Sequence, residues 1–189
     1  MKKWLAIANR LDKVNQSIAL VARWAVLLML GLGLWNVIGR YVGVAVGHNL
    51  SSNRLIEGQW YLFDLIFLLG LGWTLQRQGH VRVDVLQGRW GKRQQAKFEL
   101  LGILFLLLPF AIGVLVISIE PTIHSWVIGE VSPDPHGLPR YWIKTVIPIG
   151  FLLLALQGIA EAIRTWAKLK DQSLLDKSKD NIYLENTLD

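Results

Sequence analysis

Four stretches of the chain are apolar, long and almost free of charge. Residues 24–39, 100–119 and 145–160 contain no charged side chain, and residues 58–76 contain only Asp64. A membrane-spanning helix needs about 20 apolar residues, and Lys or Arg stems beside a shorter window reach the interface. The pattern therefore predicts an all-α integral membrane protein with four transmembrane helices, at about residues 20–46, 57–77, 98–120 and 142–165.

Composition agrees with this prediction and excludes several classes of function. Of the 189 residues, 52% are hydrophobic and 18% charged, whereas soluble domains are about 25% charged. Residues 1–169 form the predicted transmembrane domain and residues 170–189 a polar cytoplasmic tail, which leaves no room for a soluble catalytic domain. The chain has no cysteine, no nucleotide-binding glycine loop and no metalloprotease motif. We therefore expect no enzyme activity, cofactor, metal site or substrate-binding site in this chain.

Basic residues predict the orientation. Lys and Arg are concentrated before the first span, between spans two and three, and after span four; the other two links carry few. Because cytoplasmic loops are enriched in Lys and Arg, this places both termini in the cytoplasm. The net charge of +6 follows from the same residues, so we predict no nucleic-acid partner.

Residues 4–16 have an amphipathic helical pattern, with an apolar face that includes Trp4, Ile7 and Leu11. This is typical of a helix lying on the inner leaflet before the first span. The alternative is a cytoplasmic extension of span one.

Three glycines, Gly39, Gly43 and Gly47, follow each other at intervals of four at the end of the first span. Small residues at this spacing let another backbone approach closely, but glycine is also common where a helix ends. The sequence alone does not separate these two interpretations.

Asp64 is the most unusual residue, because a carboxylate in the middle of a span costs about 2.5–3.5 kcal/mol on insertion scales. Glu57 lies seven residues earlier on nearly the same helical face, and Trp60 lies between them. A proton or cation site, a contact with another subunit and local solvation near the interface all remain open for Asp64. Arg40, at the outer end of span one, is a candidate partner for either carboxylate.

The string GHVRVDV, residues 79–85, follows the second span. His80, Arg82 and Asp84 alternate with valines, and Asp84 is also a candidate N-cap of a short basic helix. No nucleophile or metal set accompanies this His–Asp pair, so it does not predict catalysis. All four histidines lie at span ends or in loops, which argues against a haem site between helices.

The stretch LIEGQWYLFDLIFLLGLGWTLQRQGHVRVDVL, residues 55–86, resembles the small membrane subunit, of DctQ type, of tripartite ATP-independent periplasmic (TRAP) transporters. The resembling positions are Glu57, the Leu62-Phe63 and Leu69-Gly70 steps, and the string from Gly79 to Asp84. Residues 36–42 and 129–163 extend the likeness, the latter to the mannitol/chloroaromatic-type subgroup. Asp64 departs from the family pattern, so the resemblance implies no role for it.

The resemblance implies a non-catalytic subunit of a sodium symporter for carboxylate uptake in the bacterial inner membrane. Its expected partners are the large TRAP permease subunit, a periplasmic substrate-binding protein and membrane lipids, and the expected assembly is a hetero-oligomer. We expect Arg40, Glu57, Trp60 and Asp64 to serve in subunit contacts or structure near the outer half, and His80, Arg82 and Asp84 to order the inner link. Two alternatives come from other classes: a membrane anchor of a respiratory redox complex, and a small proton-coupled transporter that uses Asp64.

Overall fold

The computed structural model describes residues 2–48, 50–77 and 91–170. Of this part of the chain 88% is helical, it contains no strand, and four of its helices are long and apolar enough to cross a membrane. The predicted all-α architecture with four candidate spans is therefore confirmed. The helices are α1 (Lys2–Val46), α2 (Asn53–Gln76), α3 (Lys92–Gly102), α4 (Leu108–Val127) and α5 (Arg140–Lys170). A π-helical turn, Ile103–Leu107, joins α3 and α4 into one rod.

Two connections, residues 47–52 and 128–139, meet at one end of the bundle, which we call the loop end. Asn53 at the start of α2 donates to the carbonyl of Pro135 over 3.2 Å, and the Nε of Arg54 donates to the carbonyl of His136 over 2.8 Å. The first residue of α1 and the last of α5 lie at the opposite end, which we call the terminal end. Four spans thus return the chain to the side on which it starts.

The N-terminal residues 4–16 are helical, as predicted, but they continue into the first span without a break. At about 1.5 Å per residue, the 45 residues of α1 extend roughly 68 Å, about twice the thickness of a hydrocarbon core. The structure therefore has the alternative arrangement, an extension of span one, rather than a separate surface helix. Ala8 and Asn15 on this extension are buried, whereas Trp4 and Ile7 are exposed.

Glycines end both α1 and α4 at the loop end. Gly47 and Gly129 have positive φ angles of 76° and 57°, which glycine adopts without a steric penalty. His48 donates to the carbonyl of Gly43 over 3.1 Å and Glu130 to that of Ser125 over 2.9 Å, the backbone pattern of a Schellman cap.

The glycine series in α1 faces the returning chain and not a neighbouring helix. A Cβ on Gly39 would lie 2.9 Å from the carbonyl oxygen of Leu50, and one on Gly43 would lie 2.5 Å from that of His48. Gly47 therefore ends the helix, whereas Gly39 and Gly43 allow a close backbone approach, which is made by the segment that follows the helix.

Helix α5 is the central element. Buried residues make up 44% of its apolar window, against 11% in α1, 17% in α2 and 11% in the α3–α4 rod. Glycines bring its neighbours close: a Cβ on Gly150 would lie 2.8 Å from the carbonyl oxygen of Leu68 in α2, and one on Gly158 would lie 2.6 Å from the Leu107 side chain. Small residues at helix contacts are typical of membrane bundles, in which packing replaces the hydrophobic drive.

Prolines shape the α4–α5 contact. The π-helical turn ends just before Pro109, whose ring would meet the carbonyl of residue 105 in a regular helix. In α5, Pro148 lacks the N–H that would bond to the carbonyl of Lys144. The hydroxyl of Thr122 in α4 reaches this carbonyl over 3.2 Å and also the carbonyl of Ser118 over 2.7 Å.

Candidate functional site

Glu57 fixes the 128–139 connection to the start of α2. Its side chain is only 3% exposed. The hydroxyl of Ser132 donates to one carboxylate oxygen and the amide of Leu138 to the other. Because both donors come from the connection, a single carboxylate holds the two arms of this loop together, and we call Glu57, Ser132, Gly137 and Leu138 the Glu57 clasp.

Gly137 makes the clasp possible. A Cβ at this position would lie 2.8 Å from each carboxylate oxygen of Glu57 and 2.4 Å from the Cβ of Ser132, distances that no side chain tolerates. The phenol of Tyr61, one turn further along α2, donates to the carbonyl of Pro139 over 3.2 Å. The loop is thus held by side chains of α2 on both of its arms.

Asp64 lies in a groove between α2 and α5, also toward the loop end. The groove has a volume of about 520 Å³. Its lining comprises Trp60, Tyr61, Asp64, Phe67 and Leu68 from α2 and Arg140, Ile143, Lys144 and Ile147 from α5. Asp64 is half-buried and forms no hydrogen bond or ion pair with any residue that the structure describes.

The Lys144 side chain, which lines the groove, is occupied elsewhere. Lys144 forms an ion pair with Glu130 in the connection, and its hydrogen bond lowers the pKa of the Glu130 carboxyl. Beside this pair, the indole N–H of Trp126 donates to Thr145 over 2.8 Å. At the loop end, the ion pair thus joins the 128–139 connection to α5, and the Trp126 hydrogen bond joins α4 to α5.

A second polar cluster, at the terminal end, joins α1 to α5. Asn15 donates to the side-chain oxygen of Gln157 over 2.7 Å, and Gln157 donates to Asp12 over 2.9 Å. Arg164 pairs with Asp12 and, over 3.3 Å, with Glu161. Asn15 and Gln157 are 1% and 0% exposed, so this cluster provides partners for polar groups buried among apolar helices, although Oδ1 of Asn15 accepts no hydrogen bond within the described residues.

The polar and charged groups at both ends of the described bundle connect helices to each other and to the connections. Among residues 2–48, 50–77 and 91–170, no group of three or more His, Asp or Glu side chains is arranged to hold a metal ion. The chemistry that these sites offer is hydrogen bonding and charge pairing across helices.

The sequence from residue 29 to residue 168 matches the family described as "Tripartite ATP-independent periplasmic transporters, DctQ component". The chain belongs to the DctQ family. This family supplies one component of tripartite transporters, which also contain a DctM component and a substrate-binding protein. The family is one of transporter components, and a DctQ chain with four such helices is a multi-pass membrane protein.

Searches of curated proteins and of solved structures gave no match for this DctQ chain. The family match does not support a redox anchor or a self-sufficient proton-coupled transporter. It also leaves the mannitol/chloroaromatic subgroup unconfirmed.

The candidate residues of the DctQ chain are distributed unevenly. Glu57 is in the clasp, while Trp60 and Asp64 share the α2–α5 groove. The suggested pairing of Arg40 with Glu57 or Asp64 does not occur, because Arg40 is exposed on α1 and the oxygens of Glu57 are taken by donors from the connection. His80, Arg82 and Asp84 lie outside the described residues.

Sequence reasoning missed the terminal-end cluster and the partners of Glu57. One signal was available: Gln157, Glu161 and Arg164 recur at intervals of four and three on one helical face, which marks a polar stripe on α5. No comparable signal existed for Ser132, which is 75 residues from Glu57 and lies in a loop with no periodic pattern.

Proposed function

We propose that this DctQ chain is the small, non-catalytic subunit of a sodium-coupled TRAP transporter for organic acids in a bacterial inner membrane. It would pack against the large permease subunit and stabilise it in the bilayer. The match over residues 29–168 is the observation that carries this proposal. The packing of α5 against the other helices supports a scaffolding role.

The uncovered faces of α1 and of the α3–α4 rod support a partner within the membrane. Large apolar side chains on them are strongly exposed, including Val44 at 84%, Tyr41 at 76%, Leu106 at 74% and Ile117 at 74%. Lipid covers such faces as readily as protein does. We therefore propose that the large subunit occupies part of this surface and that lipid covers the rest.

The loop end faces the periplasm in this proposal. The basic residues near the terminal end, among them Arg10, Lys13, Arg93 and Lys97, favour a cytoplasmic location for it. The Glu57 clasp then presents a rigid periplasmic loop to the substrate-binding protein. Because the chain has no native cysteine, Asp134→Cys and Lys97→Cys test the orientation directly. An impermeant maleimide should label the first in intact cells and the second only after lysis; the reverse pattern would contradict the orientation.

For the inner link we retain the expectation that His80, Arg82 and Asp84 order residues 77–97. Asp84→Ala should loosen the link and lower the yield of assembled transporter. Normal assembly and uptake by this variant would count against the expectation.

Reconstitution tests the function as a whole. Liposomes should take up an organic acid in response to a sodium gradient when they contain this chain and the large subunit and receive the binding protein. The chain alone should give no uptake, and its omission should reduce both uptake and the recovery of folded large subunit. Equal uptake without the chain, or transport by the chain alone, would refute the proposal.

A further inference from the structure

Asp64 differs from the other half-buried or buried carboxylates of the described bundle. Glu57 accepts two hydrogen bonds, Glu130 pairs with Lys144, and Asp12 pairs with Arg164. Asp64 has no such partner in residues 2–48, 50–77 or 91–170. A carboxylate at depth in a membrane protein faces the bundle interior, water or a cation, so we expect its partner to lie outside the described residues.

The surroundings of Asp64 describe that partner. Trp60, Asp64 and Phe67 form one stripe on α2, and the two rings are 59% and 57% exposed. This α2 side of the groove is an apolar surface with one negative charge. On the α5 side, Lys144 pairs with Glu130. Arg140 interacts electrostatically with Glu57 and Glu130, so the charge of Asp64 is the one left over. A transmembrane helix with a single basic side chain among apolar ones complements this α2 surface in both respects.

A phospholipid fits the groove less well. Arg140 begins α5 next to Pro139, which is bonded to Tyr61, so its backbone lies about one turn nearer the loop end than Asp64. If a lipid phosphate were bound near Arg140, the acyl chain of that lipid, and not its cationic head group, would lie beside Asp64. This constraint does not apply to a transmembrane helix of another protein, because such a helix can have a Lys or Arg at any depth.

We propose that the Asp64 groove receives a Lys or Arg side chain from a transmembrane helix of the large permease subunit. This inference rests on the proposed function, and it gives Asp64 the role of a charge-pairing subunit contact.

Co-purification of tagged chain with the co-expressed large subunit tests the pairing. Reversal of the charge in Asp64→Lys should lower the amount of large subunit recovered per tagged chain by about tenfold or more. Asp64→Asn should cause a smaller loss, and Asp64→Glu should retain most of the complex. Asp134→Lys is the control, since Asp134 is an exposed carboxylate in the 128–139 connection, outside the apolar helix faces proposed for the large subunit, and it should stay within about twofold of wild type.

Cross-linking identifies the occupant independently of any folding defect. Benzoylphenylalanine placed at Trp60 or Phe67 should react with a large-subunit peptide that contains Lys or Arg within one helical turn of the adduct. Adducts only to phospholipid, or to a peptide without a basic residue, would overturn the inference. So would a complex of Asp64→Lys recovered at the wild-type level.

These outcomes are distinguishable from failure of the proposed function. If the wild-type chain does not co-purify with the large subunit at all, the proposed function fails. If it does, and the Asp64 variants assemble equally well, only the charge-pairing inference fails.

Discussion

The clearest quantitative prediction concerns the Glu57 clasp. Glu57→Ala removes an acceptor that is only 3% exposed and serves two donors, Ser132 and Leu138. A hydrogen bond to a charged group contributes about 1.5–3 kcal/mol. Glu57→Ala should therefore lower the free energy of opening of the 128–139 loop by about 3–5 kcal/mol.

Glu57→Gln should destabilise the loop much less than Glu57→Ala, because the Gln side chain can still form a hydrogen bond with each of the two partners. Its amide oxygen still accepts from Leu138, and its NH₂ group donates to the hydroxyl of Ser132, which has lone pairs to spare. Both hydrogen bonds survive, while the charge is lost. We expect a cost of about 1–2 kcal/mol for this variant.

Hydrogen exchange at the Leu138 amide measures the effect where it occurs. At about 1.4 kcal/mol per factor of ten, Glu57→Ala should raise the exchange rate about a hundredfold or more, and Glu57→Gln about tenfold. Glu120→Ala, at an exposed carboxylate, is the control and should leave the rate unchanged. Exchange in Glu57→Ala within about twofold of wild type would refute the idea that this carboxylate holds the loop.

Three further changes test other contacts. Gly150→Ala should destabilise the bundle by about 1–3 kcal/mol through overpacking, whereas Gly113→Ala, at a site with nothing within 4 Å of the added methyl, should be neutral or stabilising in chemical unfolding. Thr122→Val should cost about 1 kcal/mol in the same assay, because it removes the hydroxyl that serves the Lys144 carbonyl. The pKa of Glu130 is lowered in the fold, which means that the folded state stabilises its ionised form. The ion pair therefore contributes to the free energy of unfolding at a pH above the unfolded-state pKa near 4.5. This contribution is lost as the pH falls through the lower pKa of the folded state. Wild type should be more stable than Glu130→Gln at pH 7 and the difference should vanish in acid; a constant difference would contradict the assignment.

The four spans were predictable because length and apolarity are properties of contiguous sequence. The ends of α1 and α4 were also within reach, since a glycine, Gly47 or Gly129, follows each helix where its cap needs a positive φ. The partners of polar groups were not, because pairing depends on which face a helix presents and at what depth. Arg40 illustrates this: its position near the end of α1 suggested a partner on α2, but its side chain is exposed.

The N-terminal segment shows the same limit. The apolar face of residues 4–16 predicted a surface helix, yet Ala8 from that face is buried and Trp4 is exposed. The reason is the polar side of the segment: Asp12 and Asn15 are bonded to Gln157 on α5. These contacts fix the extension against the bundle, and amphipathicity alone contains no information about them.

Two carboxylates seven residues apart on α2 make the strongest argument about assembly. Glu57 and Asp64 lie on nearly the same helical face, and the first is fully satisfied by residues distant in sequence. Lys144 lines the groove beside Asp64 but pairs with Glu130 instead. Asp64 therefore has no hydrogen-bond or ion-pair partner among the described residues, and in the proposed assembly its partner would lie where α2 and α5 meet the large subunit.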